Sequence, residues 1–523
     1  MGNSGTVVRE TERKYETDGE AALPDPAGFL DLDTTGEPER QHLDAVYFDT
    51  PDLRLLRAGV TLRRREGGHD EGWHLKLPVG PDSRDEVRLP LSGGHRQPPP
   101  QLLALTRLPT RGAAVAPVAQ LSTDRRRWVL SDSRGRELAE LVDDTVVAHT
   151  MGAQTAAVSW REVEVELAEH GQVELLDRIE RELLRIGARR SGSGSKLGRV
   201  LADQLPRSSR RSGEGGHKGG GKKSDGNKHG NSGGKVGSAG AAVLDYLRAQ
   251  AEQLRLCDPL VRRDAPEGVH QMRVAARRMR SALQTYPKVI DRAATAHLTE
   301  ELKWLGGELS EARDSEVIEQ RLNGVLASLP DELVLGPVAA QVTRTLQRRR
   351  SDGQRSALAA LDSDRYLGLH NAIDELLADP PLTRRARRPA RRELRRGMTK
   401  AWRRTTHRMR TADAAPDGER RDATLHETRK AAKRLRYAVE VARPSMGRPA
   451  KRLSRRLKKL HKALGAHQDA VVARPLIRQL ASQAHLEGGN GFTYGLLHAE
   501  ETARAAAAER SLPAAWKPLR KHF

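Results

Sequence analysis

Cysteine, aromatic residues and long apolar runs are all scarce in this sequence. The single cysteine, Cys257, excludes an intramolecular disulfide framework and fits a reducing compartment, so we expect the protein in the cytoplasm. No apolar run approaches the roughly 18–20 residues that span a bilayer, and no charged-then-apolar signal segment opens the chain. We therefore expect no membrane partner. Aromatic residues make up 3% of the chain, which leaves few side chains that could stack on unpaired bases.

Charge is abundant, and its distribution along the chain is uneven. The net charge is +22 over 523 residues. Residues 1–202 contain 28 Lys and Arg against 33 Asp and Glu, whereas residues 241–523 contain 55 against 33. The basic excess belongs to the C-terminal half, where we expect a polyanionic partner. The near balance of the front half is typical of a site that holds both phosphates and metal ions.

A segment rich in glycine, serine and lysine separates the two halves. It contains the run Gly219-Gly220-Gly221-Lys222-Lys223 and almost no apolar residue. Such a segment cannot bury enough surface to offset the entropy lost on ordering. We predict a flexible linker over residues 203–240, between an N-terminal domain at 6–202 and a C-terminal domain at 241–523.

The N-terminal domain has the pattern of short β-strands. Apolar and polar residues alternate, or β-branched residues cluster, between turn residues in eight segments. These segments are Val7–Tyr15, Ala45–Asp49, Thr61–Glu66, Trp73–Leu77, Glu86–Leu89, Arg125–Leu130, Glu137–Val142 and Ser159–Leu167. Val173–Gly187 has the period of an amphipathic helix. We predict an α+β domain built on an eight-stranded antiparallel barrel.

One face of these strands is charged almost throughout. It carries Glu10, Glu12 and Lys14, then Arg63 and Arg65, His74 and Lys76, Glu86 and Arg88, Arg125 and Arg127, and finally Glu162, Glu164 and Glu166. Alternation alone would also fit a sheet with one face in the core and the other in water. The polar face of such a sheet would normally include Ser, Thr, Asn and Gln. If the apolar face packs outward under helices, the lumen becomes a tunnel with cations for phosphates and carboxylates for divalent metal ions.

The order of these motifs resembles the CYTH superfamily, the triphosphate tunnel metalloenzymes. The resemblance covers about the first 200 residues. It is carried by Glu10-Thr11-Glu12-Arg13-Lys14, Tyr47-Phe48-Asp49-Thr50-Pro51, Leu62–Arg65, Trp73–Lys76, Glu162–Leu167 and Ser195-Lys196-Leu197. It implies hydrolysis of a triphosphate, with inorganic triphosphate as the leading substrate and thiamine triphosphate or a nucleotide as alternatives.

The resemblance also implies roles for single residues. Glu10, Glu12, Asp144, Glu162 and Glu164 would hold Mg²⁺ or Mn²⁺. Lys14, Arg63, Arg65, Lys76, Arg125, Arg127 and Lys196 would bind phosphates, and Glu10, Glu12, Lys14 and Glu164 would form the catalytic set. Asp143 is an alternative to its neighbour Asp144, and Arg126 is an alternative to Arg125 or Arg127.

After the linker, the pattern is helical. Alanine, leucine and arginine dominate, and apolar residues recur every three or four positions. Val269–Arg280 matches Leu425–Arg436 at an offset of 156, and Leu302–Asp314 matches Leu457–Asp469 at an offset of 155. We predict an all-α bundle with an internal two-fold repeat.

Each copy of the repeat carries a stripe of basic residues. The first stripe is His270, Arg273, Arg277 and Arg280, and the second is His426, Arg429, Lys433 and Arg436. With about 3.6 residues per turn, each set falls within an arc of about 80°. A solvated helix face would mix acids and bases, whereas neither stripe contains an acid. Two all-positive stripes predict a bound anion.

The C-terminal half resembles the CHAD family, an α-helical domain with histidine-bearing basic helices that often follows a CYTH domain. The resemblance covers roughly Ala241–Phe523, including Leu309, Arg313 and Asp314. Gln468 stands in the second copy where the first has Arg313, so unequal contributions from the two copies are expected. The resemblance implies binding of inorganic polyphosphate and association with polyphosphate granules.

Two alternatives stay open at this stage. Nucleic acid would also suit a basic surface, but the sequence contains no Cys/His zinc module or recognition-helix motif, so we do not expect it. The other alternative is a non-catalytic protein that binds polyphosphate in both halves, with the barrel acting only as an anion tunnel.

Overall fold

The computed structural model describes residues 5–17, 23, 26, 32–34, 36–80, 82–91, 96–151, 156–205 and 237–520. The chain divides into two compact units, one within residues 1–226 and the other within 227–523. Most of the predicted linker, residues 206–236, lies outside the described residues, so its flexibility stays a prediction. A short 3₁₀ helix at Ala202–Gln204 and a helix that begins at Ala239 extend into the two ends of the predicted linker.

The described part of the first unit contains ten strands and four short α-helices. The strands are β1 (Thr6–Glu16), β2 (Asp33–Thr34), β3 (Glu39–Asp49), β4 (Thr61–Glu66), β5 (Gly72–Pro78), β6 (Ser83–Leu89), β7 (Ala116–Ser131), β8 (Glu137–Thr150), β9 (Ala157–Leu167) and β10 (Arg189–Arg190). The helices are α1 (Arg54–Arg57), α2 (Pro100–Thr110), α3 (Val173–Arg185) and α4 (Lys196–Val200). Each of the eight predicted strands lies within a long strand of the structure.

The predicted limits of several elements were wrong. The predicted segments cover only the end of β3, the end of β7 and the start of β8. β3 opens with four polar residues, Glu39 to His42, so the alternation that marks a half-buried strand is missing there. The helix predicted to reach Gly187 ends at Arg185.

The eight long strands close into the predicted antiparallel barrel. Their order is β1-β6-β5-β4-β3-β7-β8-β9, and β9 pairs again with β1. β1 makes this closure by changing partners along its length. Thr6–Thr11 pair with β6, and Glu12–Glu16 pair with β9.

Helices cover the apolar outer faces of the strands, as predicted. One cluster joins Leu62, Leu75 and Val87 to Leu102 and Leu105 of α2. A second joins Trp128, Leu141, Val163 and Val165 to Leu176, Ile179 and Leu183 of α3. Burying each large apolar side chain contributes about 1.5–3 kcal/mol, so the outward direction of these faces is strongly fixed. The charged positions between them must then face the lumen.

A third apolar cluster closes one end of the lumen. Ala119 pairs with Tyr47 at this end, and Leu197 and Leu201 pack against them. α4 begins here, where the Ser195 side chain accepts a hydrogen bond from the Gly198 amide. Lys196 is the first residue of α4. From this position its ammonium group reaches Glu164 of β9, which faces the lumen.

The described part of the second unit is all-α. Its helices are α5 (Ala239–Arg262), α6 (Gly268–Thr285), α7 (Ala296–Glu308), α8 (Ser310–Leu326), α9 (Val338–Leu361), α10 (Asp364–Ala378), α11 (Ala390–Asp413), α12 (Glu419–Met446), α13 (Arg448–Leu486) and α14 (Phe492–Arg520). α5 packs on α6, α11 packs on α12, and α6 and α12 contact each other. The two-fold repeat itself remains a prediction from the sequence. Within the described residues, no helix is both long and apolar enough to cross a membrane.

Candidate functional site

The barrel ladder places the predicted charged residues on one continuous inner wall. Directly paired residues of neighbouring strands point to the same side of a sheet. Lys14 pairs with Glu164, and Lys76 pairs with Glu86. Arg125 pairs with Asp144. These pairs lie in three separate ladders around the barrel, and in each of them the charged residues face the lumen.

The lumen encloses a cavity of about 1090 Å³. All seven predicted phosphate-binding residues line it: Lys14, Arg63, Arg65, Lys76, Arg125, Arg127 and Lys196. The predicted acidic residues Glu10, Glu12 and Glu164 line it as well. Asp144 and Glu162 are 0% and 2% exposed and lie behind this lining, in contact with Lys196.

Glu10, Glu12 and Glu166 form the first acidic group. One carboxylate oxygen from each lies within 4.8 Å of the others. The Lys76 ammonium lies 2.6 Å from Glu10, and Arg84 donates to Glu12 at 2.8 Å. Burial alone would raise the pKa of Glu12, but Lys14 and Lys76 outweigh burial and lower the pKa to about 2.

Burial and the neighbouring acids disfavour the ionised form of Glu166 in the first acidic group. Burial, together with the nearby carboxylate of Glu10, raises the pKa of Glu166 to about 8. A cation between the three carboxylates would remove this penalty, because it would favour the ionised form of each acid. Oxygen-only donors are also the ligands that Mg²⁺ and Mn²⁺ prefer, so the first acidic group fits such an ion.

Asp144, Glu162 and Glu164 form the second acidic group. Their oxygens also lie within 4.8 Å of one another. The Lys196 ammonium lies 2.9 Å from Asp144, 2.7 Å from Glu162 and 2.6 Å from Glu164. Burial would lower the pKa of Lys196, but Asp144 and Glu162 outweigh burial and hold the pKa well above its usual value. Lys196 therefore stays charged and joins the second acidic group to the plugged end of the barrel.

Arginines crowd the opposite wall of the lumen. Burial, with the positive charges of Arg63 and Arg125, lowers the pKa of Arg65 to about 9. Arg63 donates to the Tyr47 hydroxyl at 3.3 Å and lies 3.7 Å from Glu86. Crowded buried guanidinium groups favour a bound anion, and their planar forks match phosphate oxygens.

The structure separates the neighbouring candidates that the sequence left open. Asp144 accepts two hydrogen bonds from Arg125, at 2.8 and 2.7 Å, on the lumen side. Asp143 instead binds Arg126 and Arg161. Because adjacent strand residues point to opposite sides, Asp144 and Arg125 point into the lumen, and Asp143 and Arg126 point to the outer side of the barrel wall.

Sequence reasoning left several lumen residues out of the assigned site. They are Tyr47, Arg84, Glu86, Arg88 and Glu166. Glu86, Arg88 and Glu166 had a signal, because they share the charged face with the assigned residues. Arg84 was missed because β6 begins at Ser83, three residues before the predicted start. An extended strand would have placed Arg84 on the same face as Glu86 and Arg88.

The two basic stripes of the second unit lie on α6 and α12, which contact each other. All eight stripe residues are half-buried. Arg277 of α6 donates to the Tyr437 hydroxyl of α12 at 2.9 Å. Burial, then Arg429 and Arg277, lowers the pKa of Lys433 to about 7. The structure therefore brings the two stripes together as one positive surface, which we call the basic groove.

Acids on neighbouring positions partly neutralise the basic groove. Asp314 of α8 lies 3.0 Å from Arg273, Asp469 of α13 lies 3.7 Å from Arg429, and Glu440 of α12 lies 3.1 Å from Arg436. The stripes themselves contain no acid, but three of their eight residues are paired with acids from outside the stripes. Glu440 lies on α12 itself, one turn after Arg436, whereas Asp314 and Asp469 come from other helices, on which the periodicity of α6 and α12 gives no information. In the described part of the chain, Arg280 and Lys433 make no ion pair with an acid.

The remaining stripe residues lie along the same surface. His426 Nδ1 lies 2.5 Å from Gln468 Oε1. Burial, followed by the charge of Arg313, lowers the pKa of His270. His461 of α13 adds an imidazole that sequence reasoning did not assign, next to Arg436 and Lys433.

Fold and geometry together define a charged tunnel barrel joined in sequence to a helical unit with a basic groove. The family profile described as CYTH domain matches residues 8–197, and that described as CHAD domain matches residues 245–478. The chain is 36% identical over 531 residues to two Mycobacterium tuberculosis proteins, “Uncharacterized protein MT2285” and “Uncharacterized protein Rv2226”. The alignments cover 98% of this chain and 96% of each relative. This chain belongs to the family of CYTH–CHAD fusion proteins.

Solved structures resemble parts of the chain. PptA from Streptomyces chartreusis matches 54% of this chain over 99% of its own, with 26% identity and a TM-score of 0.47. The CHAD domain from the plant Ricinus communis matches 54% of this chain over 92% of its own, with 27% identity and a TM-score of 0.44. A putative adenylate cyclase from Bacillus halodurans matches 37% over 98% of its own, with 20% identity and a TM-score of 0.27.

Proposed function

We propose that the first unit hydrolyses inorganic triphosphate with the help of a divalent cation. The observation that supports this most is the single closed wall that carries both acidic groups and all seven predicted phosphate-binding cations. Hydrolysis of a phosphoanhydride needs anions neutralised and water positioned, and this wall offers residues for both tasks.

The lining favours an inorganic substrate over an organic triphosphate. Among the described lining residues, Tyr47 is the one phenol and there is no indole or phenyl ring. A nucleobase or a thiamine ring would need an apolar or aromatic surface to rest on. A bare phosphate chain needs only charge and hydrogen bonds.

The roles in the reaction follow from the contacts. Arg63, Arg65 and Lys76 bind the phosphate oxygens and neutralise charge as the anhydride bond breaks. Glu164, held by Lys14 and Lys196, accepts a hydrogen bond from the attacking water and orients it. Mg²⁺ or Mn²⁺ held by Glu10, Glu12 and Glu166, with the second acidic group as a further candidate site, would supply Lewis-acid neutralisation of phosphate oxygens. Water adds to the terminal phosphorus, and diphosphate and orthophosphate leave.

Phosphate release by the full chain tests this proposal. Glu10→Gln and Arg63→Ala should each lower kcat/KM for triphosphate by about 10²–10³-fold, the usual loss when one group that stabilises developing charge is removed. Glu66→Gln and Arg64→Ala are matched controls, because both residues are on β4 and point away from the lumen. Equal losses in variants and controls would reject the assigned tunnel site.

The same assay separates the alternative activities. Triphosphate, long-chain polyphosphate, ATP and thiamine triphosphate should be compared with Mg²⁺, with Mn²⁺ and after chelation. The proposal requires triphosphate to give the highest kcat/KM and chelation to abolish release. A preference for ATP or thiamine triphosphate would shift the assignment to an organic substrate, and no release at all would favour a non-catalytic anion tunnel.

We infer further that the second unit binds inorganic polyphosphate through the basic groove. The groove is positive, lies on two helices in contact, and contains Lys433 without an acidic partner in the described chain. A repeating chain of phosphates matches such a surface through charge alone, whereas sequence-specific nucleic-acid binding would also need contacts to the bases. In cells we expect cytoplasmic protein that co-sediments with polyphosphate granules.

Charge reversal tests the basic groove. Arg273→Glu with Arg277→Glu, or Arg429→Glu with Lys433→Glu, should lower polyphosphate affinity by at least about tenfold, because each pair replaces two attractions with two repulsions. Arg344→Glu with Arg348→Glu is the matched control, since both residues are exposed on α9 and are four residues apart. If this control loses as much affinity as the groove variants, only a diffuse basic surface remains.

A further inference from the structure

Helix α11 has a strongly basic exposed face. It contains nine Lys and Arg residues against two acids, Glu393 and Asp413. Glu393 is buried and already pairs with Arg396 and with two arginines that precede the helix. The exposed residues Lys400 and Arg404 make no hydrogen bond or ion pair with an acid anywhere in the described part of the chain.

Helix α5 provides a direct comparison within the same unit. α5 precedes and packs on α6 as α11 precedes and packs on α12. Yet α5 contains three basic and three acidic residues. Its exposed Arg248 lies 2.9 Å from Asp245, and its half-buried Arg255 contacts Glu252 and Asp374. The charge of α11 is therefore a property of that helix and is not shared by the corresponding one.

The basic face of α11 begins where the basic groove ends. A Cβ atom on Gly397 would lie 2.5 Å from the Tyr286 ring, so α11 runs directly against the C-terminal end of α6. Arg434 of α12 donates to Gln284 at that same end, at 2.8 Å. Arg404 lies seven residues after Gly397, which is two helical turns along the same side of α11.

The electrostatics agree with this adjacency. Burial, then the positive charges of Arg404 and Arg280, lowers the pKa of Arg434. Arg434 is therefore close to a stripe residue of α6 and to the exposed face of α11 at once. Positive charge continues from the basic groove, across Arg434, to Arg404.

We propose that Lys400 and Arg404 extend the polyphosphate site beyond the two stripes, so that a long phosphate chain leaves the basic groove over α11. The inference rests on the proposed binding of polyphosphate by the groove. The two side chains are one turn apart, about 6 Å along the helix axis, and project to the same side. Long chains reach them, whereas short chains are held by the groove alone. Within the described residues, α5 offers no equivalent extension, because its basic and acidic residues are equal in number and Arg248 and Arg255 are paired.

Chain-length dependence in the full protein tests the extension. Lys400→Ala with Arg404→Ala should weaken binding of long-chain inorganic polyphosphate by about tenfold and leave binding of short chains within about twofold. The slope of log affinity against log salt should fall by about 1.4 for long chains, taking about 0.7 for each lost contact to a single-stranded polyanion. Arg344→Ala with Arg348→Ala removes two exposed charges at the same spacing and should change neither affinity nor slope appreciably.

Three results would distinguish failure of the α11 extension from failure of the basic groove. Equal losses for the α11 pair and the α9 control would overturn the extension. Equal losses on short and long chains would also overturn it, because they would place Lys400 and Arg404 inside the primary site. Arg277→Ala with Arg429→Ala should weaken both chain lengths; if it weakens neither, the proposed groove fails whatever α11 does. Matching circular dichroism spectra and melting temperatures confirm that the variants fold.

Discussion

At the scale of single residues, the pKa of Lys433 in the basic groove is strongly shifted by its surroundings. The positive charges of Arg429, Arg277 and Arg273 act on its ammonium, together with the opposing charge of Asp469. Burial, followed by repulsion from Arg429 and Arg277, lowers its pKa to about 7. Without an anion, roughly half of the molecules therefore lack this charge at neutral pH.

Binding of polyphosphate should consequently take up a proton at Lys433. A polyanion favours the ammonium form, so the pKa of Lys433 is higher in the complex than in the free protein. Affinity should be highest below pH 7 and should fall as pH rises from 7 toward the pKa of the complex, by up to about tenfold per pH unit. Titrations from pH 6 to 9 in buffers with different ionisation enthalpies would measure both the slope and the proton uptake.

Lys433→Arg isolates this effect from the titration of the ligand. Arginine stays charged throughout this pH range, so the variant should keep high affinity at pH 9 and lose the proton uptake. Ionisation of the phosphate chain ends is the same for both proteins. Identical pH profiles for the variant and the unaltered protein would show that Lys433 is charged without the anion.

At the scale of elements, period-two alternation in the sequence was enough to locate most of the tunnel. A closed barrel keeps every second side chain of a strand inside. The positions of Glu10, Arg63, Lys76 and Glu164 in the alternation of their own strands therefore already predicted that they face the lumen. What alternation could not provide was the partner of each residue. The two acidic groups arise because β1 pairs with β9 and β9 with β8, which is information about topology.

The Tyr47–Pro51 motif illustrates a different limit. It helped to carry the family resemblance, yet its acid is structural. Asp49 is fully buried, and its carboxylate accepts hydrogen bonds from the amides of Leu55 and Leu56 at 2.9 Å, which fixes the first turn of α1. Tyr47 of the same motif faces the lumen and contacts Arg63. Two residues of one motif, Tyr47 and Asp49, therefore serve the site and the fold separately.

Helical periodicity predicted the stripes but not their surroundings. The four-residue patterns on α6 and α12 placed the basic residues on one side of each helix. The acids that approach them, Asp314 and Asp469, come from α8 and α13, forty or so residues further along the chain. The approach of α11 to α6 depends on Gly397, where the missing side chain lets the Tyr286 ring come close. Contacts of this kind depend on packing between distant segments.

At the scale of the whole molecule, the two units differ in how far solvent, and therefore dissolved salt, reaches their charged side chains. In the first unit the site charges are buried and nearly balanced, with Glu10, Glu86 and Asp144 at most 2% exposed. In the second unit the cations of the basic groove and of α11 are half-buried or exposed. The screening length falls from about 10 Å at 0.1 M salt to about 3 Å at 1 M, which weakens exposed interactions much more than buried ones.

Raising the salt concentration should therefore separate the two proposed activities in one sample of the full chain. Between 0.1 and 0.5 M potassium chloride, polyphosphate affinity should fall by at least about 10²-fold, because each released counterion adds to the slope. Over the same range, kcat for triphosphate hydrolysis at saturating substrate and Mg²⁺ should change by less than about threefold, because groups shielded from solvent are little screened. Parallel losses of binding and hydrolysis would contradict this separation, since they would mean that hydrolysis depends on the exposed basic surface. A sodium sulfate series at matched ionic strength would separate screening from competition, because sulfate resembles phosphate and should inhibit hydrolysis more than chloride if the arginines of the tunnel bind phosphate oxygens.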